Sequence, residues 1–371
     1  MKAKFFICSY RVLVLGISLL LTIGCHDRKN RTLNLQKELE AVAAKEISKL
    51  RNKAEQGDVV AQHFVGHKYA VGQGVPIDFA EAAKWLRKAA AQGHAPAQYE
   101  IGMLVINGHI TPNGQGEAAD WIRKAAEQQH PDAEFVLGLL HNNGEFLPKN
   151  QTEAGKWILR AAEHGQIDAQ HAAGNIFAQG LYGVTTNYAE ATKWYRKAAE
   201  QGHVASQLDL GSSYAMGLGV PKNAEEAVMW LRKAAEQGNP TAQFNLGAMY
   251  TRGEGVTKDA QQAAQWYRKA AVQGYALAQC VLGRMYAAGE GVPQDTMAGF
   301  SWLSLGLQTL DRDQQLTRGE DAANATLLEQ PGRVVVREAT IRLREKCRAE
   351  LTPEQIIEAE KRVAALIINA K

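Results

Sequence analysis

The chain of 371 residues is 46% hydrophobic and 22% charged, with a formal net charge of +3. Lys2, Lys4 and Arg11 fall in an amino-terminal segment expected to be removed, and without them 39 basic residues face 39 acidic ones. A neutral body lacks the basic footprint of a nucleic-acid binder, so that class is set aside.

Residues Met1 to Cys25 start basic, continue as an uncharged apolar run from Val12 to Ile23, and end on Gly24 and Cys25. The run is too short to cross a bilayer and has the build of a secretory signal peptide, read as residues 1–24. Its ending, Leu21, Thr22, Ile23, Gly24 and Cys25, resembles the bacterial lipobox, with Thr22 in a tolerated rather than preferred place. That resemblance implies lipidation of Cys25 as the mature first residue. Ordinary cleavage leaving a free Cys25 is the alternative. By the same resemblance, His26 in place of an aspartate implies the outer membrane of a Gram-negative cell, with the protein facing the periplasm.

Residues 25–57 hold a polar tether, His26 to about Leu33, and a helix-forming run from Leu35 to Gln56. The end of that run, LRNKAEQG, aligns with WLRKAAAQG ending at Gly93, with Lys49 in place of a tryptophan, as suits a terminal cap with a polar outer face. All seven tryptophans, Trp85, Trp121, Trp157, Trp194, Trp230, Trp266 and Trp302, then stand on one ladder with steps of 36, 36, 37, 36, 36 and 36 residues. A fixed period of this length marks stacked units, each unable to bury its apolar face alone. The expected fold is therefore all-α, a solenoid of about seven two-helix repeats over residues 58–307.

In each unit the first helix carries a small residue (Ala61, Ala97, Ala133, Ala169, Ser206, Ala242, Ala278) and then a glycine (Gly66, Gly102, Gly138, Gly174, Gly211, Gly247, Gly283). A glycine inside a helix costs about 1 kcal/mol relative to alanine, and close helix approach is the reason to accept it. A second glycine, at 72, 108, 144, 180, 217, 253 and 289, marks a left-handed helix end. Asp78, Asn150, Asn187, Asn223, Asp259 and Asp295 then read as N-caps of the second helix, with Gly114 the departure. Glutamate or glutamine three residues on, as in Glu81, Glu153 and Gln262, is expected to reach back and complete a capping box. The basic pairs of the last turn, such as Arg87 and Lys88 or Arg232 and Lys233, oppose the helix dipole. Gly93, Gly165, Gly202, Gly238 and Gly274 stop the helix, and Gln129 is the exception.

The string AQFNLGAMYTRGEGVTKDAQQAAQWYRKAAVQG, Ala242 to Gly274, resembles the Sel-one-like repeat, a relative of the tetratricopeptide repeat, and similar strings run from about 58 to 307. The resemblance implies a right-handed superhelix and a role in interaction rather than catalysis, in bacteria often within the envelope. Beyond Leu307 the period is lost. Residues 308–371 are expected to form a carboxy-terminal cap: a polar loop or weak helix, a helix from Val334 to Leu351, and a last helix from Glu354 to about Asn369.

On a helical wheel, residues 61, 65 and 69 face inward and 67, 70 and 71 face away. The tetratricopeptide repeat lines its concave groove with the equivalent side of its first helix. Read across the units, the column at 67 gives His67, Met103, Leu139, Asn175, Ser212, Ala248 and Arg284, and the column at 71 gives Val71, Asn107, Asn143, Gln179, Met216, Arg252 and Ala288. The buried columns repeat nearly unchanged while these two vary. His67, Met103, Asn107, Asn143, Asn175, Gln179, Ser212, Met216, Arg252 and Arg284 are accordingly the groove-binding candidates, against the bland alternative of a solvated face. The amides among them suit a peptide backbone or a sugar.

Cys280 and Cys347 either pair in an oxidising compartment or stand as two unrelated thiols. His63 and His67 have i, i+4 spacing, yet a zinc site needs three or four ligands and no third is evident. No metal or cofactor is expected. The strings HExxH, GxSxG, SxxK and the phosphate loop are absent. The β-lactamase-like branch of the family has paired cysteines in each repeat, whereas only Cys280 falls in a repeat here, so an enzyme is not expected. These readings converge on a scaffold of the cell envelope, anchored by lipid at Cys25, holding an envelope protein or peptide in its groove, with peptidoglycan or exopolysaccharide as the alternative ligand.

Overall fold

The computed structural model describes residues 46–114, 116–320 and 331–369. The signal segment, Cys25 and the tether lie outside the described residues. Among the described residues all regular structure is helical, in two compact units, Met1–His130 and Pro131–Lys371.

The first unit holds α1 (46–55), α2 (Val59–Val71), α3 (Phe79–Ala91), α4 (Ala95–Ile106) and α5 (Glu117–Glu127). The second holds α6 (Pro131–Asn143), α7 (Gln151–Glu163), α8 (Ile167–Gln179), α9 (Tyr188–Glu200), α10 (Val204–Met216), α11 (Ala224–Glu236), α12 (Pro240–Arg252), α13 (Ala260–Val272) and α14 (Ala276–Ala288). It ends with α15 (Thr296–Glu320), α16 (Pro331–Ala349) and α17 (Pro353–Asn369). Within each unit every first helix packs on its second helix, and that one on the next first helix, which is the layout of an α–α solenoid.

The interior glycines are where the two helices of a repeat touch. A Cβ added at Gly66 or Gly138 would stand 2.7 Å from Leu86 or Ile158, and one at Gly174 would fall on the ring of Tyr195. The residue met in each case directly follows the tryptophan, so the ladder and the glycine column are two halves of one contact.

Second-helix ends are sealed by a buried ladder of amides. Gln62, Gln98, Gln170, Gln207, Gln243 and Gln279 each donate Nε2 to an alanine carbonyl eight residues earlier, at 3.0–3.4 Å. These carbonyls lie in the last turn of a helix, where acceptors lack intrahelical partners. The Oε1 atoms of Gln62, Gln98, Gln170, Gln207 and Gln243 in turn accept from Gln92, Gln128, Gln201, Gln237 and Gln273 at 2.7–2.8 Å. At one rung the pair is Glu134 and His164 instead, with His164 Nδ1 2.6 Å from Glu134 Oε2 and Arg160 3.1 Å from Oε1. Glu134 is wholly buried.

Two expectations need correction. The N-caps form, with Asn187 accepting from Glu190 N–H at 3.1 Å and Asp259 from Gln262 N–H at 2.9 Å, but the return half of the capping box does not. The N–H groups of Asp78, Asn187 and Asp259 donate instead to the carbonyls of Tyr69, Phe177 and Tyr250 at 2.8–3.0 Å. With that donor spent on the first helix, Glu81, Glu153 and Glu190 pair with Lys84, Lys156 and Lys193. In the second repeat Gly116, at φ 85°, caps α5 with no side-chain bond.

The second correction concerns the stretch after Leu307. α15 runs unbroken to Glu320 because packing replaces the lost period: Leu310 is buried with Ala276 and Cys280, and Asp311 pairs with Arg337 of α16 at 2.9 Å. α17 covers the same helix through Ala359 and Val363, both buried, with Ser301 Oγ donating to the Ala359 carbonyl at 3.3 Å.

Candidate binding face

The stack uses up most of the polar groups that repeat. Lys88, Lys124, Lys197, Lys233 and Lys269 lie 3.9–4.5 Å from the ring centres of the tryptophans three residues earlier, an attractive geometry for a cation. Arg196, Arg232 and Arg268 donate to the hydroxyls of Tyr214, Tyr250 and Tyr286. The basic pairs therefore hold neighbouring helices together, beyond opposing a helix dipole.

In the first unit, His67 is half-buried and its Nδ1 lies 2.9 Å from Glu100 Oε1. His63 Nε2 reaches the same oxygen at 3.1 Å, and the His94 ring lies 4.7 Å from His63. Sequence reasoning paired the two histidines but missed Glu100, which sits a full repeat away. The hydrogen bond to Glu100 raises the His67 pKa against burial. Burial opposes ionisation of Glu100, yet the bonds from His63 and His67 outweigh it and hold its carboxyl below the usual range. Among the described residues no group of three His, Cys, Asp or Glu is arranged to hold a metal ion. Met103 is half-buried on α4, and Asn107 is the exposed C-cap of that helix.

In the second unit the candidates fall into two rows. Asn175 and Ser212 are half-buried, with Ser212 Oγ bonded back to the Leu208 carbonyl at 2.9 Å. Asn143, Gln179, Met216, Arg252 and Arg284 are exposed. Arg252 pairs with Glu254 at 2.9 Å and Arg284 with Glu290 at 2.7 Å, both at the ends of their own first helices.

The amides are not loose. Tyr195 of α9 passes through the gap left by Gly174 and donates its hydroxyl to Asn175 Oδ1 at 2.8 Å. Tyr182, in the turn after α8, donates to Asn142 Oδ1 at 3.0 Å, and Asn142 Nδ2 donates to Asn143 Oδ1 at 3.1 Å. Burial pushes the Tyr195 phenol well above its ordinary pKa, so it stays a donor. The sequence carried one signal for this: Tyr195 and Tyr267 replace the Leu or Ile that follows the tryptophan in the other repeats.

Cys280 and Cys347 are both free and buried, Cys280 beside Ala276 and Leu310, Cys347 beside Phe300, Leu303 and Ala359. Pairing is thus replaced by the other alternative, two separate thiols packed as small hydrophobes. Burial raises both thiol pKa values. Among the described residues no helix is long and apolar enough to cross a membrane.

The family model for the Sel1 repeat matches the chain seven times, over residues 59–94, 95–130, 131–166, 167–203, 204–239, 240–275 and 276–307. A Sel1 repeat protein from Oxalobacter formigenes, known from its crystal structure, is 32% identical, with a TM-score of 0.55, over 78% of this chain and 81% of its own. A protective antigen of uropathogenic Escherichia coli strains, displaying an SLR fold, is 24% identical over 87% of this chain and 95% of its own; its TM-score of 0.35 is too low to bear on the argument. No curated protein matches the chain. Sel1 repeat proteins are generally protein-interaction scaffolds, and most are non-catalytic. With seven matched repeats over more than half its length, the chain belongs to the Sel1 repeat family.

Proposed function

We propose that this protein is a scaffold of the bacterial cell envelope, tethered by lipid on Cys25 to the outer membrane on its periplasmic side, which holds a protein partner on the first-helix face of its repeats. One observation carries the reading. The recurring polar residues are spent on the stack, whereas the columns at 67 and 71 change from repeat to repeat and stay exposed or half-exposed. A face that only needed solvation has no need of tyrosines that orient its amides.

The test is photo-crosslinking in intact cells with the probe at Met216, and at Lys193 of α9 as control, both well exposed. A discrete protein adduct from Met216 alone supports the scaffold. Equal adducts at both positions, or none at either, reject it. The anchor is tested separately: Cys25→Ser protein that stays in the membrane fraction after alkaline wash would remove lipidation from the account.

A further inference from the structure

The inference rests on the reading that the first-helix face of the second unit holds a partner, and it concerns what that partner presents. Asn142 and Asn175 have their carbonyl oxygens occupied by the hydroxyls of Tyr182 and Tyr195, and the carbonyl of Asn143 is occupied by Asn142. The amide groups left to face a ligand are the N–H donors of Asn143 and Asn175. Two repeats along, Arg252 and Arg284 offer the guanidinium N–H groups beyond their single pairs with Glu254 and Glu290. A guanidinium accepts no hydrogen bond. Both counter-ions are about half exposed, so those pairs hold weakly and a ligand carboxylate can take their place. Between the amides and the arginines stands Met216, 62% exposed, a flexible side chain that moulds to apolar groups.

The face thus runs, from α6 to α14, as amide donors, an adaptable apolar spot and cationic donors. Its complement is a ligand rich in acceptors. A sugar hydroxyl donates as well as accepts, and no aromatic ring stands in the 67 or 71 column of this unit for a sugar ring to stack on. Main-chain carbonyls and carboxylates only accept. Amides clamped before binding also reduce the ordering cost that a flexible surface meets on association.

We infer that this face binds an extended polypeptide segment, with main-chain carbonyls on Asn143 and Asn175, an apolar side chain on Met216, and acidic side chains at Arg252 and Arg284. Tyr195 is a positioning residue in this arrangement: it touches Asn175 and not the peptide.

The test uses random linear dodecapeptides displayed on phage, selected on the full chain in detergent. The best are resynthesised and titrated against wild type, Asn175→Ala, Tyr195→Phe and Lys193→Ala, with helical content checked by circular dichroism. Loss of one oriented hydrogen bond predicts about a tenfold weaker Kd for Asn175→Ala and for Tyr195→Phe. Lys193→Ala stays at the wild-type value, and replacing the peptide's acidic residues by their amides weakens binding to wild type. Should Asn175→Ala unfold, Tyr195→Phe still decides the matter. Equal Kd values in all four proteins, or no enriched peptide, overturn the inference. A protein adduct at Met216 alongside unchanged binding by Tyr195→Phe would keep the scaffold and remove only the peptide assignment.

Discussion

Tyr195 of α9 threads the gap above Gly174 of α8, and its hydroxyl fixes Asn175 on the far side at 2.8 Å. One glycine therefore serves both the packing of two helices and the geometry of the candidate face. Gly174→Ala places a methyl on the Tyr195 ring, an overpacking expected to cost about 1–3 kcal/mol. Chemical denaturation measures that loss. The same variant displaces the hydroxyl, so peptide binding falls with it, whereas an equally tight helix pair at Gly138 against Ile158 carries no such second effect.

Glu134 and His164 stand where five other rungs have two glutamines. Glu134→Gln alone leaves His164 and Arg160 without their carboxylate, and His164→Gln alone leaves a buried charge short of a partner, each costing about 1–3 kcal/mol. The double variant restores the amide pair of the other rungs and is expected to be more stable than either single change, with a coupling of about 1–3 kcal/mol in a double-mutant cycle. Additive losses would show that the two side chains do not act together.

Gln129 occupies a position that other repeats fill with glycine, and it holds a left-handed φ of 63°. Left-handed backbone costs a residue with a Cβ about 1 kcal/mol. The side chain is exposed, so little contact is lost on removing it. Gln129→Gly should raise the unfolding midpoint accordingly, and an unchanged or lower midpoint would show that the glutamine side chain contributes more than its backbone costs.

The first unit should respond to mild acid. His94 caps α4 by accepting the Ala97 N–H on Nδ1 at 3.3 Å, which requires that nitrogen to be unprotonated. Burial, then the neighbouring His63 and, less, His130, lower its pKa, against the pull of Glu100. A folded pKa below the unfolded value means stability that is present above about pH 6.5 and is lost as pH falls through the folded value. His67 runs the other way, with a raised pKa whose stabilisation is present below about pH 6.5 and fades as pH rises through the folded value. Asparagine caps without titrating, so His94→Asn should remove about 1 kcal/mol of the wild type's loss between neutral and mildly acidic urea titrations. His67 is common to both proteins and cancels. Parallel acid limbs in the two would show that the cap does not titrate.

The glycine contacts, left-handed ends and N-caps were legible because each rests on the backbone and recurs seven or nearly seven times. The Gln62 ladder recurs as regularly, yet its purpose depends on a carbonyl at the end of another helix, which a residue pattern does not display. Glu100 escaped for the same reason, since its partners His63 and His67 lie 37 and 33 residues earlier. The run of α15 past Leu307 was hidden by polar residues such as Asp311, whose helix is held by Arg337 of a later element. The candidate columns could be drawn from the wheel, but the tyrosines that orient their amides arrive from other helices and turns.

The most direct measurement is the yield of the Met216 photo-adduct in intact cells, compared between the wild-type background and Tyr195→Phe, with Lys193 as the reference position. A protein held by oriented amides gives a discrete adduct at Met216 that weakens in Tyr195→Phe while Lys193 stays blank. An adduct of equal yield in both backgrounds and at both positions would mean that the first-helix face is only a solvated surface of the stack.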